Sequence, residues 1–536
     1  MKLQLLAFAA VALAALEKRA PSVEIANGTI IGGSSDNVEF FKGIPFAQPP
    51  VGNLRFQRPK PFDSNFGELD GTKTASVCVQ ADGSTGSEDC LKLLVLRPAT
   101  RPSTKKLPVV AFIHGGSFAA GGAEDGNDGT TLVAKAAEMD LPFIFVSIQY
   151  RLGAFGFLPG KEMVGNANLG LRDQRLAIEW VHALTTELDT DNIAAFGGDP
   201  DKVVLYGFSA GSMSTLDHTV INGGNADGLF RGVMLGSGSI LPALPVDHPK
   251  AQDVYDTVVS RAGCSSSGTN NSLDCLRALD AKVLQKAAYS LSTEYGHLGI
   301  NLPYFPRPDP SDEFFAVSPD AAISQGKFAK VPVLSGDTED EGTLFALTQA
   351  NITTDAELKD YIATYFPGHE QDSKTLVSKY PDDNGISGSP YRTGLEYNVF
   401  GQFKRLAAIL GDLAFIFERR FHLQHVCSHV PCYSYLNSAI HGSNPLGSFH
   451  GSDGMVLLSN VSTVPAQTQQ RYAISFISTL DPNGGGISSP LIQWPKYTPS
   501  DAQLVHEEGF KNELTTDDFR AKQYDFWSEN IENFRL

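Results

Sequence analysis

From Val23 onward the chain alternates short apolar runs with turn-forming residues. In "VEIANGTIIGG" the pair Asn27-Gly28 separates two apolar runs, which predicts a β-hairpin. The next stretch, "FFKGIPFAQPPVGNLRFQRPKP", holds too many prolines and glycines for regular elements and reads as a loop wrapped over a core. Three strongly apolar runs follow, in "LPVVAFIHGG", "PFIFVSIQYR" and "DKVVLYGFSAG". Such runs describe strands buried on both faces, hence a mostly parallel sheet covered by helices, and the class is α/β. Between the second and third runs, "NLGLRDQRLAIEWVHAL" places Leu169, Leu176, Ile178, Trp180, Val181 and Leu184 on the apolar face of a helix.

The same plan continues toward the C-terminus. "FRGVMLGSGS" and "VPVLSGDTEDEG" predict two more strand-then-loop units. Helical pieces and the Cys264/Cys275 loop fill 242–328, and 354–426 reads as largely helical. With no flexible linker and no internal repeat, these blocks read as insertions into one sheet-centred domain. A length of 536 residues taken alone suggests three or four domains.

The 42% hydrophobic content, with 51 glycines and 31 prolines, excludes a disordered chain, a collagen, a small disulfide scaffold and a coiled coil. Leu3 to Ala15 is apolar except for Gln4, follows Met1-Lys2 and precedes Lys18-Arg19. That pattern reads as a secretory signal with a dibasic processing site, so residues 1–19 are expected to be removed and 20–536 to form the mature domain. The segment carries three basic residues and one acidic, so the net charge of -18 becomes -20 without it. A balance this acidic, with no lysine or arginine block, argues against nucleic acid and anionic lipid as partners. No later run is long enough for a transmembrane anchor.

In the oxidising compartment that a signal implies, six cysteines in three neighbouring pairs predict local staples. Cys78 with Cys90 and Cys264 with Cys275 read as disulfides, whereas the spacing of Cys427 and Cys432 fits either a third bridge or two buried thiols. Sequons at Asn27, Asn270, Asn351 and Asn460 are candidate glycosylation positions.

Ser209 is the most informative single residue. It lies in "YGFSAGS", after the β-branched run "KVVLY" and before a plausible helix, with Gly207 and Gly211 on either side. A serine hydroxyl becomes a nucleophile when a sharp strand-to-helix turn aims it at a base, and such a turn tolerates only tiny flanking residues. Backbone donors for an oxyanion are expected from Ala210 and from "FIHGGSF", where Gly116 and Ser117 are the candidates and Gly115 permits close approach. The chain order serine, acid, histidine places the base late: His450 in "LGSFHGSD", with His441 as its rival. His422, His425 and His429 have near-helical spacing but read as polar core or surface residues, not as metal ligands. The acid is one of Asp337, Glu339, Asp340 and Glu341 in "SGDTEDEG". Glu341 is favoured because Gly342 permits a tight turn, and a solvated acidic loop accounts for the other three.

With these residues in place, the sequence resembles the type-B carboxylesterase/lipase family, in particular the fungal branch that includes the Candida rugosa lipases. The matching stretches include "FKGIPFAQPPVGNLRF", "SEDCLKLLVLRP", "IHGGSF", "NANLGLRDQRLAIEWV", "GDTEDEGT" and "LGSFHGSD", and they span nearly the whole mature chain. The resemblance implies an α/β-hydrolase fold with a large central mostly parallel sheet, flanking helices and extensive insertions. It also implies a triad of Ser209, Glu341 and His450, oxyanion donors Gly116, Ser117 and Ala210, and the pairs Cys78–Cys90 and Cys264–Cys275. Ser237 resembles a serine that sits near the catalytic histidine in relatives. No metal or organic cofactor is implied.

Three departures stand out. Phe208 precedes the nucleophile where the family usually has glutamate, and Ser117 replaces a common glycine. The Cys78–Cys90 loop encloses only eleven residues, "VQADGSTGSED". In the lipases it resembles, that loop is longer and carries a lid. An ester hydrolase with an open site and little interfacial activation is therefore expected, acting on small-molecule or lipid esters. The competing readings are a long-chain lipase or steryl esterase, and a family member that binds without catalysis.

Overall fold

A computed structural model describes residues 20–536 apart from 81–82, 84–85, 101–104, 125–128, 183–191, 266–270, 290, 292–298 and 459–462. The expected signal segment, Leu184, Asn270 and Asn460 lie outside the described residues. In chain order the strands are β1 Ser22–Ile25, β2 Gly28–Ile31, β3 Gly33–Ser35, β4 Val38–Pro45, β5 Gly67–Asp70, β6 Lys92–Pro98 and β7 Leu107–Ile113. They continue with β8 Ile144–Ile148, β9 Gly198–Phe208, β10 Gly232–Gly236, β11 Val333–Thr338, β12 Cys432–Ser438, β13 Gln503–Glu508 and β14 Lys511–Thr516.

Eleven of them form one sheet in the order β14-β13-β12-β11-β10-β9-β7-β8-β6-β4-β3. The stretch from β13 to β8 is parallel, and antiparallel pairs close both ends. The unbroken apolar runs are explained by burial on both faces. Along β7, Val109, Ala111 and Ile113 enter one core while Val110 and Phe112 enter the other, and Leu205 and Val204 divide likewise on β9. Every one of these side chains is sealed from water, so each strand contributes hydrophobic free energy twice over, at about 25 cal/mol per Å² of apolar surface. Leu169, Leu176, Ile178, Trp180 and Val181 of the helix Leu169–His182 join the first of these cores.

The predicted hairpin is present as β1–β2, with Ile25 opposite Gly28, but it pairs with β5 in a separate three-stranded sheet. One expectation fails. The proline- and glycine-rich segment after it begins in regular structure, because Phe40–Pro45 belongs to β4. Within β4 the irregularity is a register shift between Phe41 and Ile44, where Gly43 takes φ +69°, and 46–61 is irregular as expected apart from the short turn Gly52–Leu54. Beside β6 such a bulge leaves the remaining ladder intact.

All three cysteine pairs are bridged, Cys427–Cys432 included, which decides between its two readings. Of the described sequons, Asn351 is exposed, while the Asn27 amide donates to the Ser64 carbonyl at 3.0 Å. Among the described residues no helix is long and apolar enough to cross a membrane.

Candidate active site

β9 ends at Phe208, and Ser209 turns the chain directly into the helix Ala210–Gly224. Ser209 adopts φ 55° and ψ -125°, a conformation that costs an ordinary residue about 1–3 kcal/mol. The flanking glycines make the turn possible by close approach. A Cβ on Gly207 would lie 2.0 Å from the Gly211 carbonyl oxygen, and one on Gly211 would lie 2.0 Å from that of Ile113. Ser209 N–H donates to the Gly236 carbonyl at 2.9 Å, which ties the turn to β10. The hydroxyl is presented at the carboxyl edge of the parallel strands, where open α/β sheets place their ligands.

Residues from two distant loops meet it there. His450 Nε2 lies 2.8 Å from Ser209 Oγ, and its Nδ1 lies 2.6 Å from Glu341 Oε2. The second Glu341 oxygen accepts from Thr338 N–H at 2.7 Å, so the carboxylate is fixed at both ends and is only 1% exposed. An Nδ1–H held by this carboxylate leaves Nε2 free to accept the serine proton. Phe208, Phe345 and Phe415 pack around the imidazole, with ring centroids 5.6, 5.2 and 4.5 Å away. The departure at Phe208 thus puts an apolar ring against the imidazole.

The glycine-rich loop after β7 lies against Ser209. A Cβ on Gly115 would come within 2.9 Å of Ser209 Cβ, and Gly116, Ser117 and Phe118 all have positive φ. Ser117 lines one cavity with Ser209 and Ala210, the first residue of the Ser209 helix. This apolar cavity encloses about 470 Å³ of space that includes its open mouth. Met213, Leu241, Leu302, Phe345, Phe415 and Leu536 are among its walls. Ile300, Leu302 and Phe305 reach it from the segment that follows the helix Ala281–Tyr289, and 292–298 lie outside the described residues.

The four carboxylates of the acidic segment separate cleanly, and the solvated-loop reading fails for three of them. Asp337 is buried in an ion pair with Arg419 at 2.7 Å, which also holds Asp517. Glu339 is half-buried against Arg392 and accepts from Ser438. Asp340, 0% exposed, accepts from Ser389 Oγ at 2.8 Å and from the N–H groups of Tyr391 and Ser448 at 2.9 Å. Its own N–H returns to the Ser448 carbonyl at 3.0 Å, so Asp340 pins the loop that bears His450. Burial, followed by the charge of Glu339, pushes its carboxyl up to about 7. The role foreseen for Gly342 also changes. Its φ is -86°, open to any residue, but a Cβ there would strike the Ala407 carbonyl at 1.9 Å. Glycine is required for helix contact, not for a turn.

His441 sits beside Glu339, with Nδ1 3.6 Å from Oε2, while His450 occupies the site. Glu339, Asp340 and His441 bring ligand atoms within 4.8 Å of one another, yet Arg392 and backbone N–H groups already engage both carboxylates. His422 is buried and pushed down to about 3 by burial, His425 donates to the Phe421 carbonyl, and His429 is exposed near Phe328.

Sequence reasoning passed over Asp453, three residues after His450. Its carboxylate accepts from Tyr435 OH at 2.7 Å and from Ser237 Oγ at 3.2 Å, so Ser237 acts on this acid. Burial and the nearby Glu341 charge raise Asp453 to about 6. Only the start of a helix at Ser452 could have hinted at it, since an acid in a first turn is usually wet.

Comparison with known proteins gives the family and the fold. The carboxylesterase family profile matches residues 19–527. The chain is 42% identical to secreted lipase 1 of Botryotinia fuckeliana, over 97% of this chain and 95% of that one. It is 41% identical to a secreted triacylglycerol lipase of Gibberella zeae, over 96% and 92%. Lipase 2 of Diutina rugosa is 37% identical over the full length of both. Among solved structures, the Aspergillus niger esterase EstA superposes with a TM-score of 0.82 at 26% identity, covering 97% of this chain and all of that one. The strand order, the serine turn and the sequence therefore agree: the fold is that of the α/β-hydrolases, and the chain belongs to the carboxylesterase family of carboxylic ester hydrolases.

Proposed function

We propose that the protein is a secreted serine esterase of the lipase type that works through an acyl-enzyme. Removal of residues 1–19 would leave 20–536 as its single catalytic domain. The observation that carries the reading is the unbroken contact series from Glu341 through His450 to Ser209. His450 takes the Ser209 proton as Oγ attacks the ester carbonyl, and Glu341 stabilises the imidazolium that forms. The N–H groups of Gly116, Ser117 and Ala210 receive the oxyanion. His450 then protonates the leaving alcohol, and the same imidazole activates the water that releases the acid.

Substrate chemistry follows from the cavity walls. An apolar pocket that starts at Ser209 suits the acyl chain of an ester, and the acidic surface disfavours polyanions. Described residues at both ends of the short disulfide loop are tied to neighbouring backbone and side chains: Ser87 N–H donates to the Val77 carbonyl at 2.9 Å, and Gln285 donates to the Gln80 carbonyl at 2.8 Å. This supports an uncovered entrance and little interfacial activation. Triacylglycerol as a substrate is the second reading, favoured by the names of the relatives. Initial rates on a glycerol ester taken through its solubility limit separate the two. A smooth saturation curve is expected, and a sharp jump as the emulsion forms would overturn the uncovered entrance.

A further inference from the structure

We infer that Gln80 is a positioning residue for the oxyanion loop, so that the Cys78–Cys90 loop braces the catalytic machinery. The inference rests on the oxyanion role proposed above for Gly116 and Ser117. Gln80 lies two residues past Cys78, and its side chain is almost wholly buried. Its amide forms a reciprocal pair with one backbone residue: Gly121 N–H donates to Oε1 at 2.7 Å, and Nε2 donates to the Gly121 carbonyl at 3.0 Å. The same Nε2 donates to the Cys78 carbonyl at 2.7 Å, next to the disulfide. A side-chain amide thereby joins two loops that no strand pairing connects among the described residues.

Gly121 is the far end of the oxyanion turn. The Gly116 carbonyl accepts from the N–H groups of Ala119 and Ala120, both at 2.9 Å, which closes the turn on itself. Gly121 then folds back with φ +103°, so close that a Cβ would lie 2.7 Å from the Gly115 carbonyl oxygen and 2.7 Å from His114 Nδ1. Gly116, Ser117 and Phe118 are held at positive φ between these two ends, and two of them bear side chains that resist it. A run of strained residues keeps its shape only where its surroundings over-determine it. Gln80 supplies two of the hydrogen bonds that do so, and they come from outside the loop.

The consequence is kinetic. Loss of the Gln80 amide lets the Gly116 and Ser117 amides drift from the point where charge develops, with Ser209, His450 and Glu341 untouched. The test compares wild type, Gln80→Ala and Gln80→Glu on a soluble ester, with kcat taken per Ser209 labelled by an organophosphorus ester. Gln80→Ala is expected to lower kcat about 30-fold with KM within about threefold, on the scale of a displacement under 1 Å. Affinity for a trifluoromethyl ketone, which binds as a tetrahedral adduct, should weaken in the same proportion. Gln80→Glu keeps an acceptor for Gly121 N–H but sets a carboxylate oxygen against the Cys78 and Gly121 carbonyls that Nε2 serves, so it should lower kcat and ketone affinity as well. Unchanged kcat and ketone affinity in folded Gln80→Ala overturn the brace. If Gln80→Ala does not fold, Gln80→Glu decides alone, and wild-type values in it overturn the inference. Wild-type enzyme that does not label at Ser209 instead refutes the underlying catalytic reading.

Discussion

Ser209 and the oxyanion loop stand on turns shaped by missing side chains, whereas Glu341 and His450 stand on loops held by buried charge. On the nucleophile side, Gly207, Gly211, Gly115 and Gly116 let backbone meet backbone at distances that a Cβ would forbid. On the other side, Asp340, Asp337 and Asp453 are taken out of water and joined to Ser448, Arg419 and Tyr435. Shape is set locally and irreversibly by composition, but a buried carboxylate keeps its proton equilibrium. The nucleophile half should therefore fail through sterics and the base half through protonation and lost acceptors.

The largest expected effect is on the steric side. Gly211→Ala forces a methyl group to within 2.0 Å of the Ile113 carbonyl oxygen, so β7 or the serine turn must move. Activity per folded molecule should drop at least about 100-fold, read from kcat/KM alongside circular dichroism. Near-wild-type turnover would break the contrast.

Asp340→Asn tests the charged side more gently. It keeps the shape but turns one acceptor oxygen into a donor, so either Ser448 N–H or the Ser389 and Tyr391 pair loses its partner. The His450 loop should loosen and kcat should fall about tenfold, with slower organophosphate labelling of Ser209 as the check.

The smallest effect concerns pH. Glu507 is sealed beside Asn437 on β13, and burial raises its carboxyl from 4.5 to about 8. Between those values the native chain holds a proton that the unfolded chain has lost, so this group's contribution to stability falls as pH rises. Glu507→Gln should raise the melting temperature at pH 8 by about 2–4 °C and leave it nearly unchanged at pH 4.5. Equal shifts at both values would contradict the assignment of a protonated buried acid.

The same division explains what could be read from the chain. β7, β9 and the serine turn were legible because runs such as "LPVVAFI" and the two glycines around "FSA" have few alternative uses. β12, "CYSYLNS", was not, since a strand can bury serine and asparagine only when hydrogen-bond partners arrive from elsewhere, as Glu507 does for Asn437. Asp337 and Asp340 looked wet for the same reason: their partners lie 49 to 108 residues away. β4 was hidden by Gly43 and Pro45, which mark a bulge and a strand end there. Gln80 left no signal at all, because nothing in a glutamine reveals that it will pair with a backbone glycine 41 residues on.

Stoichiometric labelling with an organophosphorus ester decides whether Ser209 is the nucleophile. One label per wild-type chain is expected, recovered on the peptide containing Ser209, and none in Ser209→Ala with its fold intact. Equal labelling of both proteins, or a label mapped to another residue, would contradict that role.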